Sequence, residues 1–105
     1  MTDFAKAKFN MIEQQIRPWN VVDDDVLAVM QQVPREFFVP ATYHDLAFAD
    51  TEIPLGHGQH MMAPKIEAHM LQSLTLKPGD QVLEIGTGSG YQAAILAELG
   101  GEIFS

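Results

Sequence analysis

Apolar residues recur along this chain with two different periods. Over the first sixteen positions they fall at Ala5, Phe9, Ile12 and Ile16, spaced four, three and four. That spacing predicts an amphipathic helix, with Thr2 as its cap and Arg17-Pro18-Trp19 as its stop. Asp23 is placed to cap a second helix, with Asp24 and Asp25 at its positive end, Val26, Met30 and Val33 on its inner stripe and Pro34 at its end. Phe37 and Phe38 read as core anchors in a short proline-bounded segment, residues 41–46 as a short helix and residues 47–55 as irregular, because Pro54 argues against a central strand. Pro64 suits the first position of a third helix, whose buried face is read as Ile66, Met70, Leu71 and Leu74.

The period then changes. Val82, Leu83 and Ile85 form a short apolar run of the kind that a strand covered on both faces requires. Gly86, Gly88 and Gly90 follow at alternate positions. Helical spacing resumes with Ala93, Ala94, Leu96, Ala97 and Leu99. Gly100-Gly101 ends that helix, and Glu102-Ile103-Phe104-Ser105 begins a second strand. Strand, glycine turn and helix are the opening unit of a doubly wound α/β sheet, where ligands bind at the carboxyl ends of the strands. Several further strand–helix units are expected to complete such a sheet, so the chain reads as truncated, the front part of a larger domain.

The glycine spacing narrows the ligand. A dinucleotide fingerprint G-x-G-x-x-G needs a glycine at position 91, which is Tyr91. Here the order is Glu84-x-Gly86-x-Gly88-x-Gly90. An acidic residue two positions before G-x-G-x-G resembles motif I of the class I S-adenosylmethionine-dependent methyltransferases. A nicotinamide or flavin site, or a turn without a ligand, are the alternatives. Ser89 is read as a loop or helix-cap residue, and Tyr91 and Gln92 as helix packing.

Composition excludes several classes. A hydrophobic share of 47% against 19% charged residues predicts a folded core rather than disorder. A net charge of −8 opposes nonspecific binding to nucleic acid or anionic membranes. There is no cysteine, so disulfides and thiolate sites are excluded. No apolar run approaches a membrane span, and the N-terminus lacks a signal-peptide pattern, so a cytoplasmic location is expected. His57 and His60 find no third ligand at a recognisable spacing, and Glu67-x-His69 falls on different helix faces; no metal site is expected.

Further segments are more particular than the glycine loop. They are Glu13-Gln14-Gln15-Ile16-Arg17, Val33-Pro34-Arg35-Glu36-Phe37-Phe38-Val39-Pro40, Ala47-Phe48-Ala49-Asp50 and Pro54-Leu55-Gly56-His57-Gly58-Gln59. Together with positions 82–94 they resemble, in order, the protein-L-isoaspartate (D-aspartate) O-methyltransferases. The resemblance implies an α/β fold: N-terminal helices and loops over residues 1–62, then the first units of a Rossmann-like cofactor domain from residue 63. It implies a protein-repair enzyme that moves a methyl group from S-adenosylmethionine to isoaspartyl carboxylates of damaged proteins. Glu84, Gly86, Thr87, Gly88, Ser89 and Gly90, with Gln59 and Pro64, are the implied cofactor residues. The family reads Thr-Ile-Ser-x-Pro after Gly-Gln, and its serine is an active-site residue. In this chain His60 stands at the threonine position and Met62 at the serine position. A thioether offers no hydroxyl donor, so the resemblance implies weak or altered acceptor chemistry. An inactive binding protein on the same fold, or a methyltransferase with another acceptor, are the competing readings. Unpaired strand edges lead to the further expectation of a homodimer.

Overall fold

The computed structural model describes residues 3–84 and 88–104. Thr2 lies outside them, and Asp3 is the residue that caps α1 (Phe4–Met11), its carboxylate accepting from the Lys6 amide at 3.1 Å. The first helical stretch does not run on in one phase. It passes into a π-helical turn, Ile12–Ile16, and a 3-10 turn, Arg17–Trp19, that ends on left-handed Asn20. A π turn inserts a residue and rotates the buried face. Met11, Ile12 and Ile16 are therefore buried, whereas Phe9 is 58% exposed and Ala5 lies outside the core.

Helix α2 (Asp24–Gln32) starts where the acidic run predicts. The Asp23 carboxylate accepts from the amides of Asp25 and Val26 at 2.9 and 3.2 Å. Val26, Met30 and Val33 are buried as expected. Gln72 of α3 (Pro64–Leu74) clamps the same turn: its Oε1 accepts from Val22 and Asp23, and its Nε2 donates to the Asn20 carbonyl.

Three expectations are corrected here. Phe37 is 76% exposed, because the 3-10 turn Arg35–Phe38 points Arg35 inward instead; Phe38 alone packs, edge-on against Tyr91. The stretch around Pro54 is not irregular. Strands β1 (Ile53–Gly56) and β2 (Gln59–Met61) form an antiparallel hairpin, with Pro54 opposite His60 and a bulge before Gly56. Its two-residue turn, His57-Gly58, has positive φ at both positions, the turn that matches strand twist. On α3 the buried stripe is Pro64, Glu67, Ala68 and Leu71, while Met70 and Leu74 are about half exposed.

Strands β3 (Gln81–Leu83) and β4 (Glu102–Phe104) pair in parallel, joined through α4 (Tyr91–Glu98). This is the expected strand–helix–strand unit. A two-stranded pair has one covered face, so Val82 and Ile103 pack on the core while Leu83 is 73% exposed, against the expectation of cover on both sides. Helix α4 buries Tyr91, Ile95 and Leu96 and leaves Ala97 outside. The turns leading into the two strands interlock. The Gly79 amide donates to the Gly100 carbonyl and the Glu102 amide to the Asp80 carbonyl, both at 2.8 Å. Gly100, at φ +95°, lies so close to Pro78 that a Cβ would stand 3.0 Å from the Pro78 Cα. Among the described residues no helix is long and apolar enough to cross a membrane.

Replacing Asp23 with alanine removes the α2 cap and is expected to cost about 1 kcal/mol. A denaturant midpoint measurement checks it; an unchanged midpoint would mean that the Gln72 clamp holds the helix start alone.

Candidate cofactor cleft

The glycine turn borders a cleft of about 210 Å³. Its floor comes from Glu84, Gly88, Ser89 and Gln92, and its other wall from Leu55, His60, Met61, Met62, Glu67 and Met70. Gly86 and Thr87, expected to touch cofactor, lie outside the described residues. Gly88 and Gly90 have φ of +57° and +86°, a region that glycine enters without strain. The Leu55 side chain leans on Gly88, so a Cβ there would meet its terminal carbon at 3.5 Å.

The amide of Glu84 donates to the Phe104 carbonyl at 2.9 Å, which anchors the residue at the end of the parallel pair. Its side-chain Oε1 is buried and has no hydrogen-bond partner among the described residues; the same holds for Gln92 Oε1. Ser89 Oγ accepts from the Tyr91 amide at 3.2 Å, so it steadies the start of α4 while lining the cleft. Two buried acceptor oxygens beside a main chain kept bare by glycine favour a ligand that brings N–H or O–H donors.

Of the other predicted residues, His60 and Met62 line this cleft. Met62 is half-buried and its carbonyl accepts from Arg35 Nη2 at 3.0 Å. Gln59 is exposed on β2 and Pro64 is buried at the first position of α3, and neither lines the cleft. No group of three or more histidine or acidic side chains able to hold a metal occurs among the described residues.

Glu67, Gln92 and the Arg35 beneath them are residues that the sequence reading did not assign to the site. Arg35 is fully buried. Its Nε donates to the Ala47 carbonyl and its Nη1 to Glu67 Oε1, both at 2.6 Å, and its Cζ lies 4.7 Å from the centre of the Tyr91 ring. The signal was present for Glu67: positions 64, 67, 68 and 71 follow the helical period, which sets a carboxylate inside the buried stripe. Burial pushes the Glu67 carboxyl above its ordinary range, and the Arg35 guanidinium pulls it back only in part. The native state thus holds this proton more tightly than the unfolded chain. The resulting stability is present below the ordinary carboxylate range and is lost as pH rises through the raised value. Burial likewise pushes the Tyr91 hydroxyl up to about 12, with Arg35 acting in the opposite sense.

The family model for protein-L-isoaspartate(D-aspartate) O-methyltransferase matches residues 6–104. The chain belongs to this family. A protein-L-isoaspartate O-methyltransferase 1 from Rhodopseudomonas palustris is 50% identical over 102 residues, covering 97% of this chain and 42% of that protein. A protein-L-isoaspartate O-methyltransferase from Aeropyrum pernix is 44% identical over 105 residues, covering 97% of this chain and 40% of that protein. A crystal structure described as a protein-L-isoaspartate O-methyltransferase from Plasmodium falciparum, in complex with S-adenosyl-L-homocysteine, superposes with a TM-score of 0.73. It is 24% identical, covers 98% of this chain and 48% of that one, and shows the shared methyltransferase fold. The chain spans less than half the length of these relatives.

Absorbance titration of the folded chain is expected to show Tyr91 ionising near pH 12, against about 10 in denaturant. Native stability conferred by the buried hydroxyl is present below about 10 and is lost as pH rises through the higher value. A normal transition for both tyrosines in the folded chain would contradict the burial of this ring.

Proposed function

We propose that this chain is the cofactor-binding front part of an S-adenosylmethionine-dependent carboxyl methyltransferase acting on isoaspartyl residues of damaged protein in the cytoplasm. The observation that carries the reading is a cleft of about 210 Å³ lined by Gly88 and by Glu84, whose buried Oε1 has no hydrogen-bond partner among the described residues. S-adenosylmethionine brings an ammonium group and ribose hydroxyls as donors and a sulfonium that supplies the methyl group. Glu84, Ser89 and Gln92 bind and orient; Gly88 keeps the main chain accessible; Leu55, Met61 and Met70 exclude water. The acceptor carboxylate is already ionised near neutral pH, so the residues need only align it. The step needs no general base.

Met62 separates two versions of this reading. A thioether at the family's serine position cannot donate a hydrogen bond to a carboxylate. That favours weak isoaspartyl transfer or a different acceptor, or in the second reading a binding protein that retains the fold without catalysis. The exposed apolar pair Leu83 and Phe104 on β3 and β4 supports a homodimer that covers them; a compact monomer by light scattering at high concentration would overturn it.

Calorimetric titration of S-adenosylmethionine is expected to give micromolar binding, weakened at least about tenfold by Gly88→Val, because a β-branched residue is strained at this positive φ. No binding to a folded wild type would defeat the proposal. Where binding holds, Met62→Ser is expected to raise methyl transfer to an isoaspartyl peptide. Equal transfer rates would point to a different acceptor, and no transfer by either protein to the binding-protein reading.

A further inference from the structure

Arg35 does not itself line the cleft, yet both sides of the cleft rest on it. The edge of its guanidinium serves one wall: Nη2 holds the Met62 carbonyl and Nη1 holds Glu67, itself a lining residue. The same guanidinium serves the other, its Cζ lying over the ring of Tyr91, whose amide donates to Ser89 Oγ and whose neighbour Gln92 lines the floor. Nε fixes the plane by donating to the Ala47 carbonyl. Phe38 packs edge-on against the Tyr91 ring at 5.7 Å, so the ring cannot slide away from the guanidinium on that side.

We propose that Arg35 is a positioning residue that holds the 60–63 strap and the start of α4 in a single register, and so sets the shape of the cleft. A guanidinium donates to the strap and to Glu67 while its charge lies over the Tyr91 ring; a lysine ammonium keeps the charge and loses the fork of donors. Stability alone does not require this arrangement. A buried ion pair replaced by apolar residues of similar volume is often neutral or stabilising. The distinctive content is therefore directional, and it is separable from stability.

The test compares wild type with Arg35→Lys and with the double variant Arg35→Met/Glu67→Met, which removes both charges together. Amide hydrogen exchange is measured over residues 60–63, 88–92 and 24–32. Faster exchange, by about tenfold or more, is expected in the first two segments of either folded variant, with α2 unchanged. S-adenosyl-L-homocysteine affinity is measured on the same samples and is expected to fall about tenfold while the thermal midpoint of the double variant stays near that of wild type. Unchanged exchange in both segments, or a uniform rise that includes α2, would overturn the proposal, as would wild-type affinity in either variant. The affinity arm rests on the cofactor reading above. A wild type that does not bind this ligand would sink that reading, while the exchange comparison would still decide the role of Arg35. If the double variant does not fold, the Arg35→Lys comparison decides alone.

Discussion

Arg35 carries a charge with no route to water, and the surrounding chain is arranged to compensate it. Burying a guanidinium costs several kcal/mol unless its donors are met. Here the three donor contacts come from three separate segments: the Ala47 carbonyl at the end of the 3-10 segment Ala41–Leu46, the Met62 carbonyl and the Glu67 carboxylate. The Tyr91 ring closes the fourth side. These partners span positions 47 to 91, so the ion centre defines how the N-terminal helical layer meets the α/β unit. It also explains why the 3-10 turn Arg35–Phe38 turns Phe37 outward: one side chain of that turn must enter the core, and the arginine takes the place.

The parts of the fold that were readable beforehand are those governed by local chemistry. Asp23 caps α2, Pro64 opens α3, and the order strand, glycines, helix, strand over residues 81–104 follows from periodicity and turn residues. The misreadings came from interactions with no short-range signature. A π turn at Ile12–Ile16 rotated the first helix away from its simple stripe. Pro54 argues only against a central strand, and a two-stranded hairpin tolerates proline because its outer edge needs no donor. Met70 and Leu74 belong to an apolar set on α3, but the stripe actually buried contains Glu67, because the Arg35 charge claims that helix face.

The candidate site divides in the same way. Its glycine-turn side rests on backbone conformation and a strand-end carboxylate, both of which follow from Glu84 and the spaced glycines. The opposite wall depends on which side chains residues 60–63 present. There Met62 and His60 depart from the Thr-Ile-Ser pattern while the strap's main chain remains held by Arg35. The geometry of the strap is thus independent of the chemistry displayed on it. A side chain can change at position 62 without releasing the carbonyl that keeps the strap in place.

The interlocked turns at residues 77–80 and 99–101 have a consequence for how this fold can vary. Most surface turns accept extra residues because their backbone groups can turn to water. These two satisfy each other, Gly79 with Gly100 and Asp80 with Glu102, and Gly100 passes against Pro78 with no room for a side chain. Lengthening either turn would break a hydrogen bond that the other needs and would shift β3 against β4, moving Glu84 at the strand end. Insertions in relatives that keep this glycine loop are therefore expected elsewhere, with the His57-Gly58 hairpin tip as the more permissive place.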